Sequence, residues 1–187
     1  TLPDNMKVVH DEFFDKDDLK NYLENKFFRL SFRYNDNCTA RLLPDNFSIY
    51  NADSKVLAQH INQCYDDIQV TVEQIEDYEN YPVFDPDLRI AIIDDYTGEI
   101  AATGIAENDR DCKEGILEWV QVTPKYRRKH LGEYVVCEIL RRMRDKVDFV
   151  TVSGDCDNQT SPELLYRKCG FSGNDIWHIL RKKGDSK

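Results

Sequence analysis

GILEWVQVTPKYRRKHLG, residues 115–132, decides more of the fold than any other stretch of this chain. Gly115 to Val122 is a mostly apolar run with the β-branched and aromatic bias of a strand, and it passes through Pro124 into a segment that becomes helical at Gly132. The helix is expected to reach Lys146, with Val135, Val136, Ile139, Leu140 and Met143 forming the stripe that lies on a sheet. Asp148 to Ser153 then reads as a short strand of the apolar, buried type, so the whole is a strand, crossover helix and parallel strand. Arg127, Arg128, Lys129, His130 and Leu131 stand immediately before Gly132, at a helix start whose unpaired N–H groups and dipole already favour an anion. This makes a candidate pyrophosphate cradle. It is not a Walker loop, which needs G-x-x-x-x-G-K, nor the dinucleotide fingerprint, which needs G-x-G-x-x-G.

Working outward toward the C-terminus, Ser161 is a helix cap with Pro162 at the first helical position, Leu164, Leu165 and Lys168 continue that helix, and Gly170 is its left-handed terminator. Asp175 to Arg181 supplies a last strand. Toward the N-terminus, Leu88 to Asp95 and Glu99 to Glu107 form a hairpin around Tyr96-Thr97-Gly98. Thr71 and Gln74 have capping-box spacing for a helix to about Tyr78, which Pro82 stops. An earlier helix gathers Val56, Leu57, His60, Ile61 and Cys64 on one side, after a short strand from Phe47 to Tyr50. Asp15 as cap, Asp18 at the third helical position and Phe14 stapled onto Leu19 predict a short amphipathic helix through Leu19, Tyr22 and Leu23. A strand from Phe27 to Tyr34, a turn at Asn35-Asp36-Asn37 and a weaker strand from Cys38 to Leu43 complete this piece, closed by Pro44-Asp45-Asn46. The order predicts an α+β fold with a mixed sheet, divided into an N-terminal extension over residues 1–45 and a main domain over 46–187.

The 187 residues, 41% hydrophobic and 11% aromatic, suffice for one good core. No stretch approaches the run of about 18 apolar residues that spans a membrane. With 35 acidic residues against 25 basic ones the net charge is −10, which disfavours a general nucleic-acid binder. Residues 123–146 nevertheless carry eight Lys or Arg against three Asp or Glu. That distribution fits a local anion site in an acidic body with a cationic substrate elsewhere, and equally a solvated helix face. Six cysteines, at 38, 64, 112, 137, 156 and 169, show no C-x-x-C pair and no metal-finger spacing, so reduced thiols, no metal and a cytoplasmic setting are expected. The start of the chain has no basic flank followed by an apolar run, as a signal peptide would.

These residues resemble the GNAT superfamily of N-acetyltransferases. Its acetyl-CoA motif is Q/R-x-x-G-x-G/A, and Arg127, His130 and Gly132 occupy the three defined slots, with His130 in place of the usual glycine. Val122-Thr123-Pro124-Lys125-Tyr126-Arg127 matches the V-x-P-x-Y-R lead-in, and Leu165-Tyr166-Arg167-Lys168-Cys169-Gly170-Phe171 matches the L-Y-x-K-x-G-F end of a second family segment. In that segment Pro162 takes the alanine slot and Gln159 the asparagine slot, with Asn158 one place early. The likeness covers most of the chain from Asn46 to Arg181; the N-terminal piece has no counterpart. It implies a GNAT-like acyl-CoA N-acyltransferase fold in which the strands ending at Val122 and Ser153 part. The pantetheine of acetyl-CoA would bond the freed backbone at Gln121 and Val122, and the N–H groups from Arg128 through Lys129, His130 and Leu131 to Gly132 would hold the pyrophosphate, with Arg127 and Arg128 adding charge. Asn158 would bond the pantetheine arm, or shape the turn before Ser161.

The implied activity is acetyl transfer to a primary amine by direct attack on the thioester. The acceptor is open, a cationic small molecule being one possibility, and the alternative is an acyl-CoA-binding module without turnover. Tyr166 is the candidate proton donor to the CoA sulfur, against a core tyrosine with a satisfied hydroxyl. Glu118 is the candidate base, a carboxylate in an otherwise apolar strand, against an edge-facing or salt-bridged glutamate. His178 is held in reserve. Trp119 and Trp177 are expected in the core, and Cys156 and Cys169 as small buried hydrophobes. The N-terminal extension is expected to govern acceptor selectivity or dimer contacts, in a monomer or homodimer that binds no nucleic acid and no membrane.

Overall fold

The computed structural model describes residues 2–34, 41–50, 52–65 and 68–184. Eight strands, β1 (Met6–His10), β2 (Tyr22–Arg33), β3 (Phe47–Tyr50), β4 (Arg89–Asp94), β5 (Ile100–Asp109), β6 (Glu114–Val122), β7 (Phe149–Asp155) and β8 (Ser172–Lys182), form one sheet in the order β1-β8-β2-β7-β6-β5-β4-β3. The helices are α1 (Ser54–Cys64), α2 (Val72–Asp77), α3 (Leu131–Met143) and α4 (Pro162–Lys168). Every pairing is antiparallel except β6 with β7, which are joined through α3 as a parallel pair requires. None of the described helices is long and apolar enough to cross a membrane.

Alternation along β5 assigns the two layers. Gly104 lies under α3, where a Cβ would collide with Val135, and the next residue, Ile105, packs with Leu57, Ala58, Ile61 and Ile75 of α1 and α2. The α1/α2 layer therefore covers one face of the central strands. The larger core lies on the other face, where Val135, Val136, Ile139, Leu140 and Met143 meet Ile90, Ile92, Val150 and Val152. Gly115 plays the part of Gly104 at the far end of α3, since a Cβ there would sit 2.5 Å from Met143 Sδ. Both glycines let the helix lie directly on the strands. The capping box at α2 forms as its spacing predicts, with Thr71 N–H donating to Gln74 Oε1 at 2.9 Å and Gln74 N–H donating to Thr71 Oγ1 at 3.2 Å.

The N-terminal piece departs from expectation. Asp15 does cap, accepting from Asp17 N–H at 2.9 Å, but the residues after it form a 3-10 turn over Lys16–Lys20, and Tyr22 and Leu23 already belong to β2. Pairing decides this: Tyr22 to Arg29 bond to β8, and Phe27 to Arg33 bond to β7. The expected turn at 35–37 and part of the strand expected from Cys38 lie outside the described residues, and 41–43 are not in a strand. The sheet thus runs across the boundary placed at residue 45, with β2 inserted between β7 and β8. β1, unforeseen from sequence, pairs with β8 at the sheet's edge. His178 of β8, only 1% exposed, bonds to Glu24 and Asp11 and stacks on Phe14 at 3.9 Å between ring centroids. At α4 the expected cap also differs: Ser161 takes a left-handed φ of 49° and makes no side-chain capping bond.

Below α1 lies a buried polar network. His60, 2% exposed, contacts Thr103 Oγ1 through Nδ1 at 2.9 Å and Thr123 Oγ1 through Nε2 at 2.8 Å, and Gln121 also donates to Thr103. Burial disfavours the imidazolium and lowers the His60 pKa to about 4. The unfolded chain takes up this proton near pH 6.5, the folded one only near 4, so stability present above pH 6.5 is lost as the pH falls through that window. The linked loss is about 3 kcal/mol at 1.36 kcal/mol per unit. Urea unfolding at pH 7 and pH 4.5 should register it in the wild type and much less of it in His60→Asn; equal pH dependence in both would show that His60 is not responsible.

Candidate active site

β6 and β7 are in register from Glu114 opposite Phe149 to Leu117 opposite Val152, and there the pairing stops although β6 continues to Val122 and β7 to Asp155. The cause is visible on the other edge of β6. Ile105 of β5 faces Trp119 and Ala106 faces Leu117, so Glu118 is the extra residue of a β-bulge. A bulge bends its strand and sharpens the local twist, which carries the end of β6 away from β7 and opens a crevice between them. The main chain of Gln121 and Val122 lies on the parted stretch. Their side chains serve the core: Gln121 is 5% exposed and bonded to Thr103, and Val122 packs on the larger cluster.

The turn before α3 stands at the mouth of this crevice. Arg128 and His130 adopt left-handed φ values of 64° and 61°, and left-handed residues set among right-handed ones give the backbone its anion-binding concavity. Among the described residues, the main-chain N–H groups from Arg128 to Glu133 have no partner; the first one engaged is that of Tyr134, bonded to the His130 carbonyl at 3.0 Å. A Cβ on Gly132 would approach Leu165 Cδ2 to 3.2 Å and Val122 Cγ2 to 3.5 Å, so the start of α3, the end of β6 and α4 converge on this glycine. Unpartnered amides, the dipole of a 13-residue helix and a narrow cradle fit a diphosphate.

The basic side chains are less available than the sequence implies. Arg127 folds back, its Nε donating to the Val122 carbonyl at 3.3 Å, and the Lys129 ammonium sits 5.6 Å from the centroid of Phe47 and 5.8 Å from that of Tyr126. His130 contacts Glu133 Oε1 at 3.1 Å, while Arg41 pairs with Glu133 Oε2 at 2.7 Å. Leu131 is buried in the core, and Arg128 is exposed.

Tyr166 of α4 is 6% exposed and packs between Phe28 and Phe171. Burial first, then the neighbouring Tyr65 and Cys169, push its phenol well above the usual tyrosine range, so it holds its proton at any physiological pH. No described residue hydrogen-bonds its hydroxyl. Tyr65 also meets Trp119 edge-on at 6.1 Å, which links the Tyr166 environment to the α1/α2 face of β6. Glu118 projects from that face. It stays open to solvent along the crevice while the protein around it penalises its charge and Glu107 adds a like charge, so its carboxyl is held above the ordinary glutamate range. Burial raises the Glu107 carboxyl as well. Tyr78 lies within the field of both, and Tyr81 meets it edge-on at 5.7 Å.

Other expected positions fall elsewhere. Asn158 Oδ1 accepts from Thr160 N–H at 2.9 Å and from the Thr160 hydroxyl at 2.7 Å, so its oxygen shapes the turn and only its amide N–H2 is uncommitted. His178 stands on β8, beyond β7 and β2 from the crevice, and its ring is occupied. Cys169 is buried, but Cys156 is exposed, because it comes after the end of β7, where the sheet no longer covers it. Trp119 is partly buried at the margin of the α1/α2 cluster, and Trp177 is partly buried edge-on to His10 at 5.2 Å, outside both clusters. Glu107, Tyr65 and Tyr78 were not foreseen. Among the described residues no group of three or more His, Cys, Asp or Glu is placed to hold a metal ion.

The model of the Acetyltransferase (GNAT) family matches residues 55–171, which include α1, the parted strands, the turn and Tyr166. The chain belongs to the GNAT acetyltransferase family. Solved structures share the fold: a GCN5-related N-acetyltransferase from Sphaerobacter thermophilus (TM-score 0.74, 16% identity, covering 95% of this chain and 58% of that one) and a Drosophila protein (0.67, 17%, 88% and 53%). A glucosamine-6-phosphate N-acetyltransferase from Arabidopsis thaliana is also similar (0.50, 24%, 70% and 94%). At these identities the likeness is one of fold, and this GNAT chain spans little more than half the length of the first two. No curated protein matches it.

Because the Glu118 carboxyl is raised in the fold, its contribution to stability is present below the unfolded glutamate pKa and is lost as the pH climbs through the raised value. Glu118→Gln should therefore melt higher than wild type at pH 7 and show no such gain at pH 4. A lower melting temperature at pH 7 would mean that the charged form is held by favourable contacts.

Proposed function

We propose that this protein transfers the acetyl group of acetyl-CoA to a primary amine by direct attack on the thioester. The observation that carries this is the parting of β6 from β7 directly below six main-chain N–H groups that have no partner among the described residues. Those amides hold the pyrophosphate, and the edge of β6 left without a strand partner beyond Leu117, to which Val122 and not Gln121 turns its main chain, receives the pantetheine amides as an added strand would be received. Acetyl-CoA supplies an acyl carbon activated by its sulfur.

The remaining chemistry falls to side chains. A nucleophilic amine must be neutral, and Glu118, with its basicity raised by burial and by Glu107, takes the ammonium proton directly or through one water. As the N–C bond forms, the nitrogen sheds its second proton to solvent, and as the C–S bond breaks, the sulfur leaves as a thiolate that needs a proton. Tyr166, kept protonated by burial and with no hydrogen-bond partner for its hydroxyl among the described residues, donates it. The phenol recovers a proton from solvent on product release. Main-chain N–H groups along the parted edge are positioned to stabilise the developing oxyanion. An acceptor that arrives as a cation suits an acidic protein whose crevice holds two carboxylates.

CoA release during incubation with acetyl-CoA and a panel of primary amines tests the activity. Turnover is expected, and acetyl-CoA binding without turnover across the panel would make the protein a binding module instead. Tyr166→Phe should lower kcat by about 10²-fold, the contribution typical of a positioned acid, and leave the equilibrium affinity for acetyl-CoA within about threefold. Unchanged kcat would remove Tyr166 from the mechanism.

A further inference from the structure

Partly buried carboxylates elsewhere in the described chain have cationic partners or, like Asp94, Asp109 and Asp155, accept hydrogen bonds from main-chain N–H groups. Arg29 bonds to Glu114 at 2.7 Å, Arg41 to Glu133 at 2.7 Å, Lys146 to Asp85 at 2.8 Å, and Arg141 and Arg142 both grip Glu138. Glu107, partly buried, and Glu118, open along the crevice, are the contrast: among the described residues neither forms an ion pair or accepts a hydrogen bond. Strand register fixes their relation independently of any titration. Glu107 lies opposite Ile116, and Ile105, two residues earlier, faces α1 and α2, so Glu107 shares that face. The bulge turns Glu118 to the same face as its neighbour Trp119, in contrast to Leu117, which packs in the opposite core. The two glutamates are thus diagonal neighbours on adjacent strands, roughly 7–8 Å apart between backbone positions. One stands at the parted edge and the other one strand farther in. The Tyr78–Tyr81 pair walls this space with two phenol rings, and Tyr81 is 52% exposed.

We infer that Glu107 is the specificity-determining residue of the acceptor site and that the site selects an amine bearing a second positive charge, one ammonium resting at Glu107 while the reacting nitrogen lies at Glu118. Two partly desolvated like charges without counter-ions are electrostatically incomplete, and a dication neutralises both at once. A monoamine leaves Glu107 unpaired. The separation of the pair is one that a short alkyl chain between two nitrogens covers, and the tyrosine faces favour a cation over a neutral alkyl terminus. Glu114, on the same face, does not compete for the second charge because Arg29 already holds it. This inference deepens the amine-acetylation reading and depends on it for the meaning of the reacting nitrogen, but the charge preference can be read by binding alone.

The test pairs 1-butylamine with 1,4-diaminobutane and 1-hexylamine with 1,6-diaminohexane, using wild type, Glu107→Gln and Glu107→Asp. CoA release gives kcat/KM, and calorimetry in the presence of saturating CoA gives equilibrium affinity. In the wild type each diamine should exceed its monoamine by at least tenfold in affinity and, where turnover occurs, in kcat/KM. The ratio should fall to within threefold of unity in Glu107→Gln and be largely kept in Glu107→Asp. Taking ratios removes any change that Glu107→Gln causes in the basicity of Glu118, because that change acts on both acceptors alike. A wild-type ratio near unity, or an undiminished ratio in Glu107→Gln, would overturn the inference even if every amine were acetylated. Preferential binding of diamines, lost in Glu107→Gln, without CoA release from any amine would support the inference and overturn the proposed activity.

Discussion

The extra residue in β6 is the constraint on which the site depends. Without a bulge at Glu118, β6 would stay in register with β7 beyond Leu117 and the central sheet would have no opening. The same single residue leaves the β7 side of β6 without a strand partner after Leu117, where alternation turns the main chain of Val122 outward and that of Gln121 toward β5, and it places Glu118 and Trp119 on one face. The opening needs a fixed roof, and α3 provides it: Gly104 and Gly115 let the helix lie directly against β5 and β6, which sets the position of its first turn relative to the parted edge. A cradle at Gly132 and a crevice below it are then one geometric consequence of packing, with no moving part.

Much of this was legible in the sequence because it is local. The stripe of α3, the proline and basic run before it, and the Tyr166 block each declare themselves within a few turns of chain, and the Thr71–Gln74 cap forms as spaced. The illegible parts depend on partners distant in sequence. Leu19, Tyr22 and Leu23 have helical spacing and Asp15 is a real cap, yet β8 offers Tyr22 to Arg29 a full ladder of main-chain bonds, and that ladder wins over a short amphipathic helix. Glu107 carried no signal for a similar reason. A lone glutamate in a strand acquires meaning only when the neighbouring register puts Glu118 diagonally across from it and omits any cation. Glu118 was singled out by its chemistry, but its bulge was not, because no residue type in that strand announces one.

The inserted strand explains why the N-terminal piece matters to a site it does not line with catalytic groups. β2 pairs along β7 from Phe27 to Arg33, so the far wall of the crevice is held in place from behind by residues that precede the family core. Phe28 is the point of transmission. Its ring fills the space a Cβ of Gly154 would need, at 2.5 Å from Phe28 Cζ, and lies 6.3 Å from the ring of Tyr166. His178, bound by Glu24 and Asp11 and stacked on Phe14, ties β8 to this piece on its other side. A buried histidine that looked like spare chemistry is in fact a clamp on the segment that packs against Tyr166.

The turn before α3 shows which part of a basic sequence is left open to a ligand. Its cationic side chains suggest charge recognition, but Arg127 is folded onto the Val122 carbonyl and Lys129 lies over two aromatic rings. The main chain is the part that faces the mouth, and main-chain amides need the backbone to turn left-handed at Arg128 and His130. For a histidine that conformation costs about 1–2 kcal/mol, which glycine would avoid. His130 supplies something in return that glycine cannot: its ring reaches Glu133, whose other oxygen is held by Arg41, so the strained residue is anchored to the helix it precedes. The substitution in the glycine slot therefore preserves the turn by fixing it from outside, and the anion-shaped concavity remains a property of the backbone rather than of the basic residues around it.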